Sequence, residues 1–320
     1  MRYVALEECF SIPELAGRLA GAPLGIRLSK QYAADVAKKL SDFTEYRLPD
    51  MDAHGIDVQV LSLSVPGLQL DLATDVAVDS ARYANDYLAT VVADHPDRFR
   101  GFAALPMQDT AAAIAELERS VGELGFCGAL INDHTQGRYL DDPDYDEFWA
   151  ALARLRVPLY IHPGSVPVDR WHLLDGCPEI YGATWSWGAE TAGHGLRVLY
   201  SGVFDRHPDA TLILGHMGEF LPFQLTRLDS RYKTLDTERP LQRIPSQYIG
   251  TNIVLTTSGV FSPPALTGAV LAVGADAVMF SIDYPWEQTS EAVEMFERTT
   301  LSDSDRAKIA HGNAERILRI

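Results

Sequence analysis

Cysteine is scarce in this chain, and so is positive charge. Three cysteines in 320 residues, Cys9, Cys127 and Cys177, make an odd number without the spacing of a metal ribbon, so neither a disulfide framework nor a structural zinc module is expected. Lys and Arg total 27 against 44 Asp and Glu, a formal net charge of -17. That field opposes phosphate backbones and anionic membrane surfaces, which leaves nucleic acid and membrane as unexpected partners. No apolar stretch is long and uninterrupted enough to span a bilayer, the run from Thr267 to Met279 being broken by Gly274 and Asp276. The N-terminus lacks a basic segment followed by an apolar one, so the expected compartment is the reducing cytoplasm. Repeats, low-complexity tracts and charged linkers are also missing, and residues 1–320 are expected to form a single domain.

What is present is an alternation. With 47% hydrophobic and 22% charged residues the composition is that of a folded globular protein. Short aliphatic or β-branched runs predict strands near 3–6, 57–63, 100–105, 127–132, 157–162, 211–216, 252–258 and 276–283. Helical spacing is read near 75–95, 109–124, 143–155, 187–203, 219–234, 263–273 and 288–298, with Asp109 as an N-cap candidate. Eight strands alternating with helices predict an α/β fold, a (β/α)8 TIM barrel. Glu7-Glu8-Cys9-Phe10 is not the glycine-rich turn of a nucleotide-binding doubly wound sheet. Two connections, after strand 1 (10 to about 55) and after strand 5 (163 to about 187), are too long for barrel turns and are expected as rim insertions over the pocket. The tail, with Ser302 as a cap and an amphipathic stretch from Ala307 to Leu318, is expected to be a closing helix.

Four strand-like runs end in a residue able to hold a metal or move a proton: Glu7, His162, His216 and Asp283. In a barrel the C-terminal strand ends converge on one rim, so these four would meet. Glu7 reads as a metal ligand with Cys9 on the same side of the strand, though Glu7 as a surface carboxylate and Cys9 as a small buried apolar residue are open alternatives. His162 precedes Pro163-Gly164 and is a ligand candidate or a hydrogen-bonded core imidazole. His216 is followed by Glu219, which could fix its tautomer or simply serve as a first-turn helix charge. Asp283 could ligate and shuttle protons, or stabilise a turn before Tyr284-Pro285. Asn132 at the end of strand four is a substrate-oxygen donor candidate; Arg227, two helical turns past Glu219, is a carboxylate partner candidate; Trp286 is a pocket-wall candidate. The other seven histidines have no partner pattern and are expected to be structural or solvated.

Val4-Ala5-Leu6-Glu7-Glu8, Met51-Asp52-Ala53-His54-Gly55-Ile56, Ile161-His162-Pro163, Gly202-Val203-Phe204-Asp205, Gly215-His216-Met217-Gly218-Glu219, Asp283-Tyr284-Pro285-Trp286-Glu287 and Asn313-Ala314 together resemble the amidohydrolase-related aromatic acid decarboxylases. The subgroup is that acting on hydroxybenzoates such as γ-resorcylate, 2,3-dihydroxybenzoate and salicylate. The resemblance implies a (β/α)8 barrel with one divalent metal ion, zinc, manganese or magnesium, in a homodimer or homotetramer. It implies Glu7, His162 and Asp283 as metal ligands, His216 with Glu219 as the catalytic pair, and Asn132, Arg227 and Trp286 in the substrate pocket. Some relatives have His where this chain has Cys9, a difference that bears on metal identity and substrate orientation. The implied reaction on a small aromatic acid is reversible, non-oxidative decarboxylation, with Asp283 protonating the ring carbon that bears the carboxylate. A metal-dependent hydrolase of an ester, lactone or amide on the same barrel is the alternative, and a catalytically silent scaffold is the third reading.

Overall fold

A computed structural model of the chain describes residues 1–19, 28–164, 166 and 171–320. Eight strands, β1 (Val4–Phe10), β2 (Val58–Leu63), β3 (Phe99–Ala103), β4 (Gly128–Asn132), β5 (Leu159–His162), β6 (Leu212–Leu214), β7 (Ile253–Thr256) and β8 (Val278–Met279), form one sheet in sequence order. Each pairs in parallel with the next. Helices stand between them, as the alternation predicts for a (β/α)8 barrel. Buried on both faces, parallel strands need aliphatic side chains on both, which is why they show in the sequence as runs.

The barrel does not close by a ladder among the described residues. Between β8 and β1 the seam is held by single bonds: the Cys9 N–H donates to Tyr284 O at 2.7 Å, and the N–H groups of Leu6 and Glu7 donate to Ser281 Oγ at 3.3 and 2.8 Å.

Parity along the strands decides what faces the interior. Val4, Leu6, Val58, Val60, Phe102, Tyr160, Ile213, Val254 and Met279 fill the barrel, while Ala5, Leu61, Leu159, Ile161, Leu212 and Leu214 pack outward under the helices. Strict alternation would turn Glu7 outward with Ala5. A register shift between Ala5 and Glu8 opposite Gln59 and Leu61 inserts one residue into β1 and re-aims Glu7 into the barrel mouth.

The helices follow their expected caps. Asp109 accepts from Ala112 N–H and starts the helix Thr110–Gly122, and Ser302 accepts from Asp305 N–H before Asp303–Ala307. The closing segment continues through a π-turn, Lys308–Gly312, into the helix Asn313–Leu318. Several expectations need correction. The last strand is two residues long: a 3-10 turn over Ala275–Ala277 takes the start of the expected run, and residues 280–283 lie past the strand's end. The helix expected over 219–234 begins only at Leu225, after a 3-10 turn at Leu221–Gln224. Residues 20–27 of the first rim insertion and 165 and 167–170 of the second lie outside the described residues.

Candidate active site

Glu7 is fully buried. Its Oε2 accepts from the hydroxyls of Tyr160 and Ser258, and Tyr160 Oη also lies 2.8 Å from Thr256 Oγ1. Three strands thereby fix one carboxylate. Its other oxygen, Oε1, has no hydrogen-bond partner; the Nε2 atoms of His162 and His216 stand 3.5 and 3.6 Å away. Gly215 makes this approach feasible, since a Cβ there would sit 2.6 Å from Glu7 Oε2.

His162 follows Tyr160 by two residues and so shares its inward face. Its Nδ1–H donates to Pro163 O at 2.7 Å, leaving the Nε2 lone pair directed at the cluster. Burial holds this imidazole below its usual pKa, which favours the neutral, ligating form.

His216 has the wrong parity, one residue past inward-facing Gly215. The backbone corrects it. Residues His216, Met217, Gly218, Glu219 and Phe220 all have positive φ, from 46° to 73°, forming one left-handed turn that folds the imidazole back over the mouth. Left-handed backbone costs a non-glycine residue roughly 1–2 kcal/mol, and strain of this kind concentrates at functional sites. In return His216 Nδ1–H donates to Glu219 Oε1 at 2.7 Å, so Nε2 faces Glu7 and, at 3.7 Å, Asp283 Oδ2. Gly259, φ 62°, lies against the ring: a Cβ would stand 2.9 Å from His216 Cδ2.

Asp283, φ 78°, is gripped by Glu8. Ile282 N–H donates to Glu8 Oε1 at 3.1 Å and Tyr284 N–H to Glu8 Oε2 at 3.0 Å, one bond on each side of the aspartate. Burial, with the Glu7 charge adding to it, holds the Asp283 carboxyl proton well above the usual carboxylate range. Burial also lowers His216, but the charges of Glu7 and Glu219 outweigh it and leave its pKa well above the ordinary value. The Asp283–His216 pair thus retains a proton where a free carboxyl would have lost it.

Burial pushes Glu8 up from 4.5 to about 7, against its backbone donors and Arg47. A folded pKa above the unfolded one gives stability that is complete below about 4.5 and is lost as pH rises through about 7. For the metal-free protein, Glu8→Gln should remove on the order of 3 kcal/mol of that pH dependence. Urea unfolding of both proteins at the two ends of the window checks this; parallel pH profiles would refute it.

His162, His216, Glu219 and Asp283 line a cavity of about 290 Å³. Its walls include Leu28 and Tyr32 from the first rim insertion, Trp185 and Trp187 near the end of the second, and Val65, Phe220 and Trp286. Among the described residues no Lys or Arg lines it, and Glu287 does. An apolar, ring-sized slot with polar groups at one end is what a small aromatic ligand requires.

Of the residues singled out from sequence, Glu7, His162, His216, Glu219 and Asp283 meet here, and Trp286 forms part of the wall. Cys9 is buried among Val36, Leu40 and Trp286, its Sγ 4.0 Å from Asp283 Oδ1. Of the residues expected in the substrate pocket, Asn132, Arg227 and Cys9 do not line the cavity. Asn132 is buried beside β5, its Nδ2 donating weakly to Leu63 O at 3.5 Å. Arg227 is exposed on the helix Leu225–Tyr232, because the left-handed turn separates that helix from Glu219. Sequence reasoning missed Glu8, Tyr160 and Ser258. Two-residue parity with His162 would have found Tyr160. It also left His194 unpartnered, whereas its Nδ1 lies 2.7 Å from Asp133 Oδ1 in the core.

The donor set fits a divalent cation. Glu7, His216 and Asp283 each offer an atom within 4.8 Å of the others, and so do Cys9, His162 and Asp283. A buried carboxylate oxygen without a hydrogen-bond donor, with two imidazole nitrogens facing it, is an acceptor that a bound cation would satisfy.

Residues 28–320 match the amidohydrolase family. A gamma-resorcylate decarboxylase of Rhizobium radiobacter is 42% identical, over 99% of this chain and 98% of its own. A solved 2,6-dihydroxybenzoate decarboxylase, complexed with 2,6-dihydroxybenzoate, is 41% identical over 100% of both chains with a TM-score of 0.91. A dihydroxybenzoic acid decarboxylase from Polaromonas sp. JS666, with bound manganese and the inhibitor 2-nitroresorcinol, is 41% identical over 99% of this chain and 96% of that one, TM-score 0.91. By likeness across nearly its whole length, the chain belongs to the amidohydrolase-related family of aromatic acid decarboxylases.

Proposed function

We propose that this chain catalyses the metal-dependent, non-oxidative decarboxylation of an ortho-hydroxybenzoate, with Asp283 as the proton donor to the ring. The observation that carries the reading is the buried Asp283 carboxyl, facing a ring-sized cavity beside the unpartnered Glu7 Oε1. Glu7, His162 and Asp283 would hold the ion, with His216 next to it. When bound, a divalent cation supplies a Lewis acid for the substrate's carboxylate and ortho oxygen.

The chain's own residues do the rest. Trp185, Trp187 and Trp286 confine the ring and exclude water from the reacting carbon. Asp283 delivers its proton to the carbon bearing the carboxylate, which breaks aromaticity. His216, held by Glu219, takes the ortho hydroxyl proton, so that the oxygen can push electron density into the ring. The bond to the carboxylate then breaks, its electron pair returns to the ring, and carbon dioxide leaves. His216 returns its proton to the ortho oxygen, which gives the phenol, and Asp283 regains its proton from solvent.

A cavity with Glu287 in its wall and, among the described residues, no Lys or Arg also supports a substrate with a single carboxylate. Incubation of the full-length, metal-loaded protein with mono- and dihydroxybenzoates should give carbon dioxide and the corresponding phenol in equal amounts, with benzene dicarboxylates turned over at least about tenfold more slowly. Release of an acid with an alcohol or amine from esters, lactones or amides, with no carbon dioxide from any hydroxybenzoate, would instead establish the hydrolase.

Exposed Phe220, Phe223 and Leu271, at 50%, 55% and 83%, support a homodimer or homotetramer. The continuous strand order from β1 to β8, with Asn313–Leu318 against the barrel base, supports one domain over 1–320. No described helix is long and apolar enough to cross a membrane. The low cysteine count supports a reducing compartment.

A further inference from the structure

One buried group beside the cluster has no part in the decarboxylation scheme. Cys9 is 1% exposed, packs against Val36, Leu40 and Trp286 on its apolar side, and has Asp283 Oδ1 as its polar neighbour at 4.0 Å. Asp283 belongs to both candidate ligand triads. Its Oδ1 faces Cys9, and its Oδ2 faces His216. Glu7 Oε1, without a partner, stands near both imidazoles. Two overlapping triads joined at Asp283 therefore bring five side chains together, and one of them is a thiol.

We propose that Cys9 is a sulfur donor to the cation of this site, so that this chain selects a thiophilic ion such as zinc over manganese. The inference rests on the proposal that the cluster holds a divalent ion. A zinc ion with sulfur at about 2.3 Å and nitrogen or oxygen at about 2.0–2.2 Å sets its tetrahedral donors roughly 3.5 Å apart. The distance from Cys9 Sγ to Asp283 Oδ1 exceeds that by about half an ångström, a side-chain adjustment rather than a backbone one. Sulfur binds as the thiolate, its proton leaving to solvent. Sites built of nitrogen and oxygen alone accept manganese readily, whereas a thiolate shifts the preference toward softer ions. The apolar contacts on the far side of Cys9 fix where the sulfur stands.

The test uses the full-length protein, stripped of metal and reloaded with one equivalent of cobalt(II), in a Cys177→Ser background that removes the partly exposed thiol. The loaded protein should show a near-ultraviolet sulfur-to-cobalt charge-transfer band. The band should vanish on adding Cys9→Ser or Cys9→Ala, and the zinc-over-manganese preference in direct competition should fall by about tenfold or more. Stoichiometric cobalt uptake without the band overturns the role of Cys9 and leaves the cation site standing. Failure to take up cobalt overturns both. Should neither Cys9 variant fold, the spectrum of the protein retaining Cys9 decides alone.

Discussion

Asp283→Asn should fold, keep its cavity and lose about 10³- to 10⁴-fold in kcat, with KM changing far less. Asparagine has nearly the same shape and can still turn an oxygen toward a cation, but its amide has no acid proton to give. The backbone at this position is held independently of the side chain, since Glu8 takes the N–H groups of Ile282 and Tyr284 on either side. The substitution therefore tests chemistry rather than folding. Steady-state rates on the best hydroxybenzoate, with metal content measured on the same samples, are the readout. A metal-replete variant retaining more than about a tenth of the wild-type rate would remove Asp283 from the proton step. Because the acid form is the reactive one, the wild-type rate should fall toward alkaline pH as the proton donor is lost.

Glu7→Gln should separate the two demands placed on the cluster. Glu7 contributes a charge to a volume it shares with Asp283, Glu8 and Glu219. Without a cation those groups repel one another; with one, they are its ligands and their neighbours. Breaking one buried charged contact of this kind costs about 3–5 kcal/mol, so metal affinity should drop by roughly 10²- to 4 × 10³-fold and activity at limiting metal should disappear with it. The metal-free variant should nevertheless unfold at a higher temperature than metal-free wild type, since one of several crowded acids has become neutral and its amide oxygen can still accept from Tyr160 and Ser258. Metal titration and thermal unfolding, each with and without chelator, give the four values needed. A variant that binds metal as tightly as wild type would show that Glu7 is not a ligand; equal melting of the two chelated proteins would show that the cluster carries no internal repulsion.

The strands were legible because burial on both faces writes them as aliphatic runs, and Asp109 and Ser302 announced their helices through the chemistry of capping. Glu7, His162, His216 and Asp283 were legible as polar residues closing apolar runs. Their geometry was not. The inward turn of Glu7 depends on a register shift that only pairing with β2 produces. His216 reaches the mouth through five consecutive positive φ angles, and Met217, Glu219 and Phe220 carry no propensity for them. That same turn broke the helical spacing by which Arg227 had been linked to Glu219. Glu8 was hidden by its neighbour, because its bonds go to residues 274 and 276 positions away, and no local pattern reports them.

The seam where the first and last strands meet also governs how the polypeptide acquires competence during synthesis. A nascent chain that has emerged through β7 already displays Glu7, His162 and His216, yet Ser281, which takes the amides of Leu6 and Glu7, and Asp283, which faces His216, are still inside the ribosome. Until residues 278–284 appear, Glu8 has no amides to grip and the acidic mouth has no wall on that side. Premature termination before residue 278 would thus release a polypeptide with an unpaired β7 edge, a species for chaperones and proteases rather than a slow enzyme.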